Sequence, residues 1–460
     1  MDKSDETLNI QGSTVLPGFI DAHTHLVKLG LDMVNIDLSE ASSFEEAKYY
    51  LSKELKIRAE SNDDSWIVGI NFDETKWKTD KLPDRNKLDE ISSEVPIIIK
   101  RVCTHIAVAN TAALGKMEED VNINKDTGVL KEDPVWHLDK AIGITKEDRK
   151  QAILRAIKEA QSLGITCVHD IVDNEDWEAY KELDHEGLLD LRIRCYMRHN
   201  NIDNIEPVDR SPYLSLRGVK IFVDGSLGAH TAALEDDYAD DPGNRGMLLL
   251  SQEEIEDIIE KAESKGLQVM AHAIGDRAIS TLLEAFENAS SRTRDLRHRV
   301  EHAEVLSEKH IRRIRDLGLT LSVQPNFAYV WSQPGGMNER RLGPERFNNC
   351  NPYWDAQRAL VKMAFGSDTM PIGPIFGVFS AVNHPILEQR ISTYNALQCY
   401  TVNGAFIGND EDDFGKIEDD MDADFVVLSE NPLDSDNIED IEIVMTVVNG
   451  DIVFDGRDGD

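Results

Sequence analysis

Pro17-Gly18-Phe19-Ile20-Asp21-Ala22-His23-Thr24-His25 sets two imidazoles two residues apart, directly behind an apolar stretch. Side chains at i and i+2 of a strand share a face. A strand ending here turns His23 and His25 together into whatever it encloses, and two neutral imidazoles converging there make half of a divalent-metal site. Alone, a His-x-His pair is as readily a chance surface feature. Its weight comes from downstream, where further ligand types recur at the ends of apolar runs.

Those runs have a rhythm. From Ile142 onward, short Val- and Ile-rich segments alternate with longer stretches of helical period, the pattern of βα units on a parallel sheet. Strands are predicted at 19–23, 165–169, 193–197, 219–223, 268–273, 299–303, 319–323 and 361–365. Eight strands fit a closed (β/α)8 TIM barrel of the α/β class, whose active site lies where the strands end. Ser251 and Gly266 bracket one predicted helix, Gly318 closes another at 308–317, and Asp276 is expected to cap a third over 279–288. The stretch 43–139 is too long for one βα connection and carries strand-like pieces at 66–71 and 97–102. It reads as an α+β insertion after the first strand. The tail, 424–428 and 443–454, shows period-2 strands around an Asn449-Gly450 turn, which predicts a small β-sandwich appendage. The expected organisation is a sandwich remnant at 1–16, the barrel domain at 17–408 and the rest of the sandwich at 409–460.

Composition narrows the function. The chain of 460 residues, 41% hydrophobic, can bury a large core. Its five cysteines (Cys103, Cys167, Cys195, Cys350, Cys399) are scattered without any C-x-x-C spacing, which suits a reducing cytoplasm. The first residues are polar and acidic, unlike a signal peptide, and no apolar run reaches membrane-spanning length. A soluble cytoplasmic protein is expected. Eighty-six acids against 49 bases give a net charge of −37, a self-repulsion that salt would screen. The acids are spread throughout, denser only at 235–241 and 410–424, which favours adaptation to a halophile's cytoplasm over one basic partner. Nucleic-acid binding is disfavoured, because phosphates would be repelled. A neutral or cationic substrate, or one gripped by metal, suits this field.

Groups able to bind metal stand at selected strand ends: His23 and His25 on the first, Lys220 on the fourth, His272 on the fifth, His302 on the sixth and Asp368 on the eighth. Each has a bland reading, as a hydrogen-bonded core histidine, a turn aspartate or a solvent-reaching lysine. Four histidines and an aspartate at one rim predict a metal site. Asp224 and His230 flank the Gly225-Ser226-Leu227-Gly228 loop after Lys220 and are candidates to position substrate, Asp224 being equally a turn residue. The 324–326 loop and Trp331-Ser332 are candidates to line the pocket. Glu301 precedes His302, so alternation points it away from the site, toward a supporting position or the outer face.

The set resembles the amidohydrolase superfamily of metal-dependent hydrolases. It is most similar to the branch (amidohydrolase family 3) containing N-substituted formamide deformylase and exoenzyme regulators. The matching stretches are 16–25, 71–74, His105 with Asn110 and Leu114, 220–227, 271–278, 300–303 and 366–369, and similarity runs from Val15 to the C-terminus. The resemblance implies that His23 and His25 bind one divalent ion, and that His272 and His302 bind a second. Asp368 would touch the first ion and the attacking water as the catalytic acid–base group. Lys220 would bridge the two ions as a carbamate formed with CO2. An unmodified Lys220 would instead leave a single-metal site on His23, His25, His272 and Asp368. The donors suit Zn2+, with Mn2+ or Fe2+ possible from the same set.

His105 lies where relatives carry Asp-Gly-His, here with Cys103 and Thr104 in the first two places. It is a candidate either to bind substrate or to cap a turn. Deaminase members place a glutamate shortly after the fifth-strand histidine, whereas this chain reads His272-Ala273-Ile274-Gly275-Asp276. The expected reaction is therefore hydrolysis of a non-peptide C–N bond in an amide or formamide. The alternatives are a catalytically silent metal-binding regulator, or a lactonase or esterase using the same ligands. A small-molecule substrate is the expected partner, with neither nucleic acid nor membrane, and homodimerisation is left open. Relatives carry several dozen residues ahead of Pro17 where this chain has 16, so either an upstream start or half a sandwich is expected.

Overall fold

The structure, a computed structural model, describes residues 9–457 except 11, 62, 78–80, 103–104, 119, 121, 137, 206–210 and 290–291. Most of the expected sandwich remnant, residues 1–8 and 11, and the Cys103-Thr104 pair lie outside the described residues. The chain divides into two compact units, Met1–Val27 with Ile153–Asp460, and Lys28–Ala152.

The first unit is built on eight parallel strands: β1 (Phe19–Thr24), β2 (Ile165–Val172), β3 (Arg192–Arg198), β4 (Leu214–Phe222), β5 (Gln268–Ala273), β6 (Arg299–His302), β7 (Thr320–Val323) and β8 (Met363–Phe365). Each pairs with the next in order, the nearly closed sheet of a TIM barrel. Every residue of β2 is buried, as a strand covered on both faces requires. β4 begins five residues before its predicted start, because Leu214 and Ser215 pair with β3 ahead of the Arg217-Gly218 interruption that hid them.

β1 and β8 share no ladder, and a few bonds close the seam between them. The Asp368 N–H donates to the His23 carbonyl at 2.8 Å, and the Ser367 N–H donates to the Asp21 carboxylate at 2.9 Å. A Cβ on Gly366 would lie 2.5 Å from the His23 nitrogen, so only glycine lets the last strand approach the first this closely.

Helices of this unit are capped by local chemistry. Ser251 and Glu254 form a reciprocal capping box ahead of Gln252–Ser264, and Gly318, at φ +76°, closes Glu308–Leu317. Asp276 departs from its expected role. It is the first residue of Asp276–Ala289, and its carboxylate accepts the N–H groups of Glu235 and Arg277, so the helix starts three residues early.

At the base of the barrel, arginines near the strand starts meet acids of the tail. Arg192 clamps Asp424 through Nε at 2.5 Å and Nη2 at 3.0 Å, Arg194 and Arg217 share Asp410, and Arg297 forks onto Glu411. The expected sandwich is, among the described residues, a single antiparallel sheet of Thr14–Pro17, Phe425–Leu428, Ile443–Val448 and Asp451–Asp455. The barrel supplies the cover a second layer would give: Thr446 donates to the Gln161 carbonyl at 2.7 Å, and Val426 packs over Gly164. The hairpin turns at the expected Asn449-Gly450, both at positive φ, as a primed turn requires.

The second unit, wider than the expected 43–139, carries a six-stranded mixed sheet with Ile67–Phe72, Ile97–Arg101 and Ile106–Ala109 at its centre. Ile97 and Ile99 enter one core with Leu51, Phe72 and Trp77, while Ile98 enters another with Ala107 and Leu130. Covered faces on both sides explain why these strands read as continuous apolar runs. No helix among the described residues is long and apolar enough to cross a membrane.

Candidate metal centre

The barrel's C-terminal rim gathers residues that lie far apart in sequence. His23 and His25 leave the end of β1, and Asp368 follows β8 across the seam. One donor atom from each lies within 4.8 Å of the others, with Asp368 Oδ1 at 3.2 Å from His25 Nε2 and 3.8 Å from His23 Nε2. The His302 ring stands 4.8 Å from that of His23, and the His272 ring 4.4 Å from that of His302. Four imidazoles thus run across the rim in the order His25, His23, His302, His272. Lys220 ends in the same space, wholly buried.

Burial sets the protonation. It pushes His23, His25 and His302 below the ordinary histidine range, leaving neutral rings with lone pairs to offer. Burial alone would raise Asp368, but the imidazoles of His23 and His25 and the Lys220 ammonium outweigh it and hold its carboxyl below the usual range. Burial lowers Lys220 to about 8. Its Nζ and His302 Nδ1 are sealed from solvent without a hydrogen-bond partner, a costly state for a polar atom with nothing to bind. Neutral imidazoles, a carboxylate and two orphaned nitrogens in one enclosure fit a divalent cation with N and O ligands.

Backbone geometry aims these groups. His302 and Ala303 at the end of β6, and Asp368 and Thr369 after β8, are all left-handed, with φ between 50° and 65°. Non-glycine residues adopt this region at a cost that clusters at functional sites. The turn at His302 overrides strand alternation, so two consecutive residues serve one site. Glu301 points into the barrel interior, where its carboxylate grips His23 Nδ1 and takes a salt bridge from Arg299 at 2.8 Å. Arg299 also reaches the Ala22 carbonyl and His169 Nδ1. A carboxylate on the far nitrogen fixes the tautomer and leaves Nε2 facing Asp368. Alternation alone had pointed Glu301 away from the site, and the Arg-x-Glu-His spacing of 299–302 is the one signal that marked it. Asn326 holds the Asp368 loop by donating to the Ser367 and Met370 carbonyls at 2.9 and 2.8 Å.

The other candidates are placed differently. Both Asp224 oxygens serve the backbone, accepting the N–H groups of Ala233, Ile274 and Gly275, with His272 Nε2 3.6 Å away. His230 lies 3.1 Å from Asp240 and against the Tyr238 ring. His105 belongs to the second unit, with Nδ1 2.7 Å from the Glu132 carboxylate. Trp331 packs 4.5 Å from Phe327, which stacks parallel to His302 at 6.4 Å. Glu304, two residues beyond His302, was not anticipated from sequence. It is 5% exposed, and burial together with the charges of Asp224 and Asp368 pushes its carboxyl up to about 8.

A family model described as the amidohydrolase family matches residues 6–454. The chain belongs to the amidohydrolase family. This amidohydrolase is 30% identical to YtcJ of Bacillus subtilis (strain 168), a protein named as an amidohydrolase, over 98% of its own length and 90% of the relative's. It is 25% identical to the N-substituted formamide deformylase of Arthrobacter pascens, over 97% and 89% of the two chains. Among solved structures it is similar to an uncharacterised metal-dependent hydrolase of Pyrococcus horikoshii OT3. That match has a TM-score of 0.78 and 31% identity, covering 93% of this chain and 88% of the other. Family and site agree on a metal-dependent hydrolase.

Proposed function

We propose that this amidohydrolase hydrolyses a non-peptide carbon–nitrogen bond, in a small amide or formamide, at the His23–His25–Asp368 group. The observation that carries the reading is the grouping of Asp368, a half-buried carboxylate held below its usual range, with the imidazoles of His23 and His25 at a barrel rim. His23, His25 and Asp368 would hold one divalent ion, Zn2+ by donor type, with His272, His302 and Lys220 available for a second. When bound, such an ion supplies Lewis-acid activation of the carbonyl and of the attacking water. Asp368 takes the proton from that water and returns it to the departing nitrogen, which leaves as an amine rather than an amide anion. Glu301 and Arg299 keep His23 from rotating, and Asn326 keeps the Asp368 loop in place. Lys220, sealed and with its pKa lowered to about 8, is suited to take up CO2 as a carbamate with release of a proton. The relative named as an N-substituted formamide deformylase supports the choice of bond.

The test is to strip and reload the protein with Zn2+ or Mn2+, count bound metal, and follow formate or carboxylate release from N-alkylformamides and N-acyl amines in molar KCl. Turnover that needs metal and vanishes in Asp368→Asn is expected. Metal-loaded protein releasing acid from none of them overturns the reading.

A further inference from the structure

A row of polar side chains crosses the barrel interior toward its base, away from the rim. His169, Arg194 and Ser215 are register partners on the neighbouring strands β2, β3 and β4, so their side chains leave one face of the sheet together. Arg299 of β6, on the opposite side of the barrel, reaches His169 Nδ1 at 2.9 Å, which marks that face as the inner one. The three residues are 0%, 4% and 3% exposed. The helix Val402–Gly408 and Asp410 beyond it close on this row. Arg194 Nε donates to Asp410 Oδ2 at 2.9 Å, and Arg217 pairs with Oδ1 of the same carboxylate. A Cβ on Gly408 would lie 2.8 Å from His169 Nε2 and 3.1 Å from Asp410 Oδ2, so ring and carboxylate flank one point of the chain.

His169 Nε2, Arg194 Nη1 and Ser215 Oγ are sealed from solvent without a hydrogen-bond partner among the described residues. Polar atoms in a closed core call for a water or an ion to answer them. Their chemistry decides which. Arg299 Nη1 can only donate, so His169 Nδ1 accepts and the ring proton sits on Nε2. Burial, with the charges of Arg299 and Arg194, keeps that ring neutral by holding it well below the ordinary histidine range. Arg194 Nη1 also can only donate, and the Ser215 hydroxyl can turn its hydrogen the same way. A water would bring two hydrogens of its own against donors, whereas an anion accepts from all three. With the guanidiniums of Arg194 and Arg217 both on one carboxylate, negative charge beside them is favoured.

We propose that this row binds a halide ion, chloride in ordinary salt, held by His169 Nε2, Arg194 Nη1 and Ser215 Oγ. A monatomic anion suits atoms sealed so fully. Because Asp410 closes on the row, the ion stabilises the join between barrel and tail. The proposal takes nothing from the reading of the rim and stands or falls without it.

The experiment uses the full metal-loaded chain, wild type and Ser215→Ala. Crystals grown in KBr are measured at the bromine absorption edge, and urea unfolding is followed as KCl replaces potassium gluconate at constant ionic strength. Expected in wild type is an anomalous peak within hydrogen-bond range of the three atoms, with lower occupancy in the variant. The unfolding midpoint of wild type should rise above that of Ser215→Ala as chloride increases, corresponding to about tenfold weaker chloride binding in the variant. Screening and general salt effects act on both proteins, so the difference between them reports the site. Density without a bromine signal at the row means water and overturns the proposal. A peak there, with the two midpoints moving in parallel, means an adventitious ion only and overturns it as well. If Ser215→Ala fails to fold, the wild-type map decides alone.

Discussion

The two ends of this barrel are built on opposite principles. At the base arginines are joined to acids: Arg192 with Asp424, Arg194 and Arg217 with Asp410, Arg297 with Glu411. At the rim Lys220 Nζ and His302 Nδ1 lack hydrogen-bond partners, burial and the charges of Asp224 and Asp368 push the Glu304 carboxyl up, and four residues sit in left-handed backbone. One end is tied by ion pairs that join the tail to the strands. The other is held in an expensive arrangement that makes sense only if something else completes it. Stability concentrated at the N-terminal face and chemistry at the C-terminal face is the division expected of such barrels.

The comparison can be broken at either end. Asp368→Asn should cost about a thousandfold or more in turnover while leaving the unfolding midpoint near wild type, as measured by steady-state kinetics and urea titration. A large loss of stability instead would make the rim structural. Arg192→Met leaves Asp424 buried without its partner and should cost about 3–5 kcal/mol, with metal content unchanged. If the variant unfolds like wild type, the base is not where the barrel is secured.

The base should also show itself in acid. Burial depresses His298 from the ordinary value of 6.5 to about 4, against the opposing pull of Glu263, while its Nδ1 accepts the Val269 N–H. A folded-state pKa below the unfolded one gives stability that is complete above about pH 6.5 and lost as pH falls toward 4. The advantage of wild type over His298→Asn should therefore shrink by an amount on the order of 3 kcal/mol across that window. A difference flat with pH would mean that His298 titrates freely. Smallest, Glu301→Gln should weaken metal binding about 10- to 100-fold in chelator competition, because His23 loses its anchor. Unchanged affinity would show that Arg299 and packing alone orient the ring.

What could be read beforehand follows from which forces are local. Helix boundaries at Ser251 and Gly318 and the Asn449-Gly450 turn are written in single side chains, and the eight strands in apolar runs that two covered faces demand. The six candidate rim residues, Lys220 among them, were visible because strand ends repeat. Glu304 was not, and Glu301 was left between a supporting position and the outer face, for one reason: alternation stops being a guide where His302 and Ala303 turn left-handed, and a positive φ in a non-glycine residue leaves no mark in the sequence. The interior bond from Glu301 to His23 joins residues 278 positions apart, beyond any local pattern. That the barrel covers the tail sheet was hidden likewise, since Val426 and Thr446 alternate as they would against another sheet.

Because His23 and Asp368 meet across the join between the first and last strands, a chain emerging from the ribosome displays its leading pair of imidazoles long before the carboxylate that completes them. The triplet comes into being only when the ring shuts. Any strain that parts the first stave from the last would disarm the protein while most of its core remained whole.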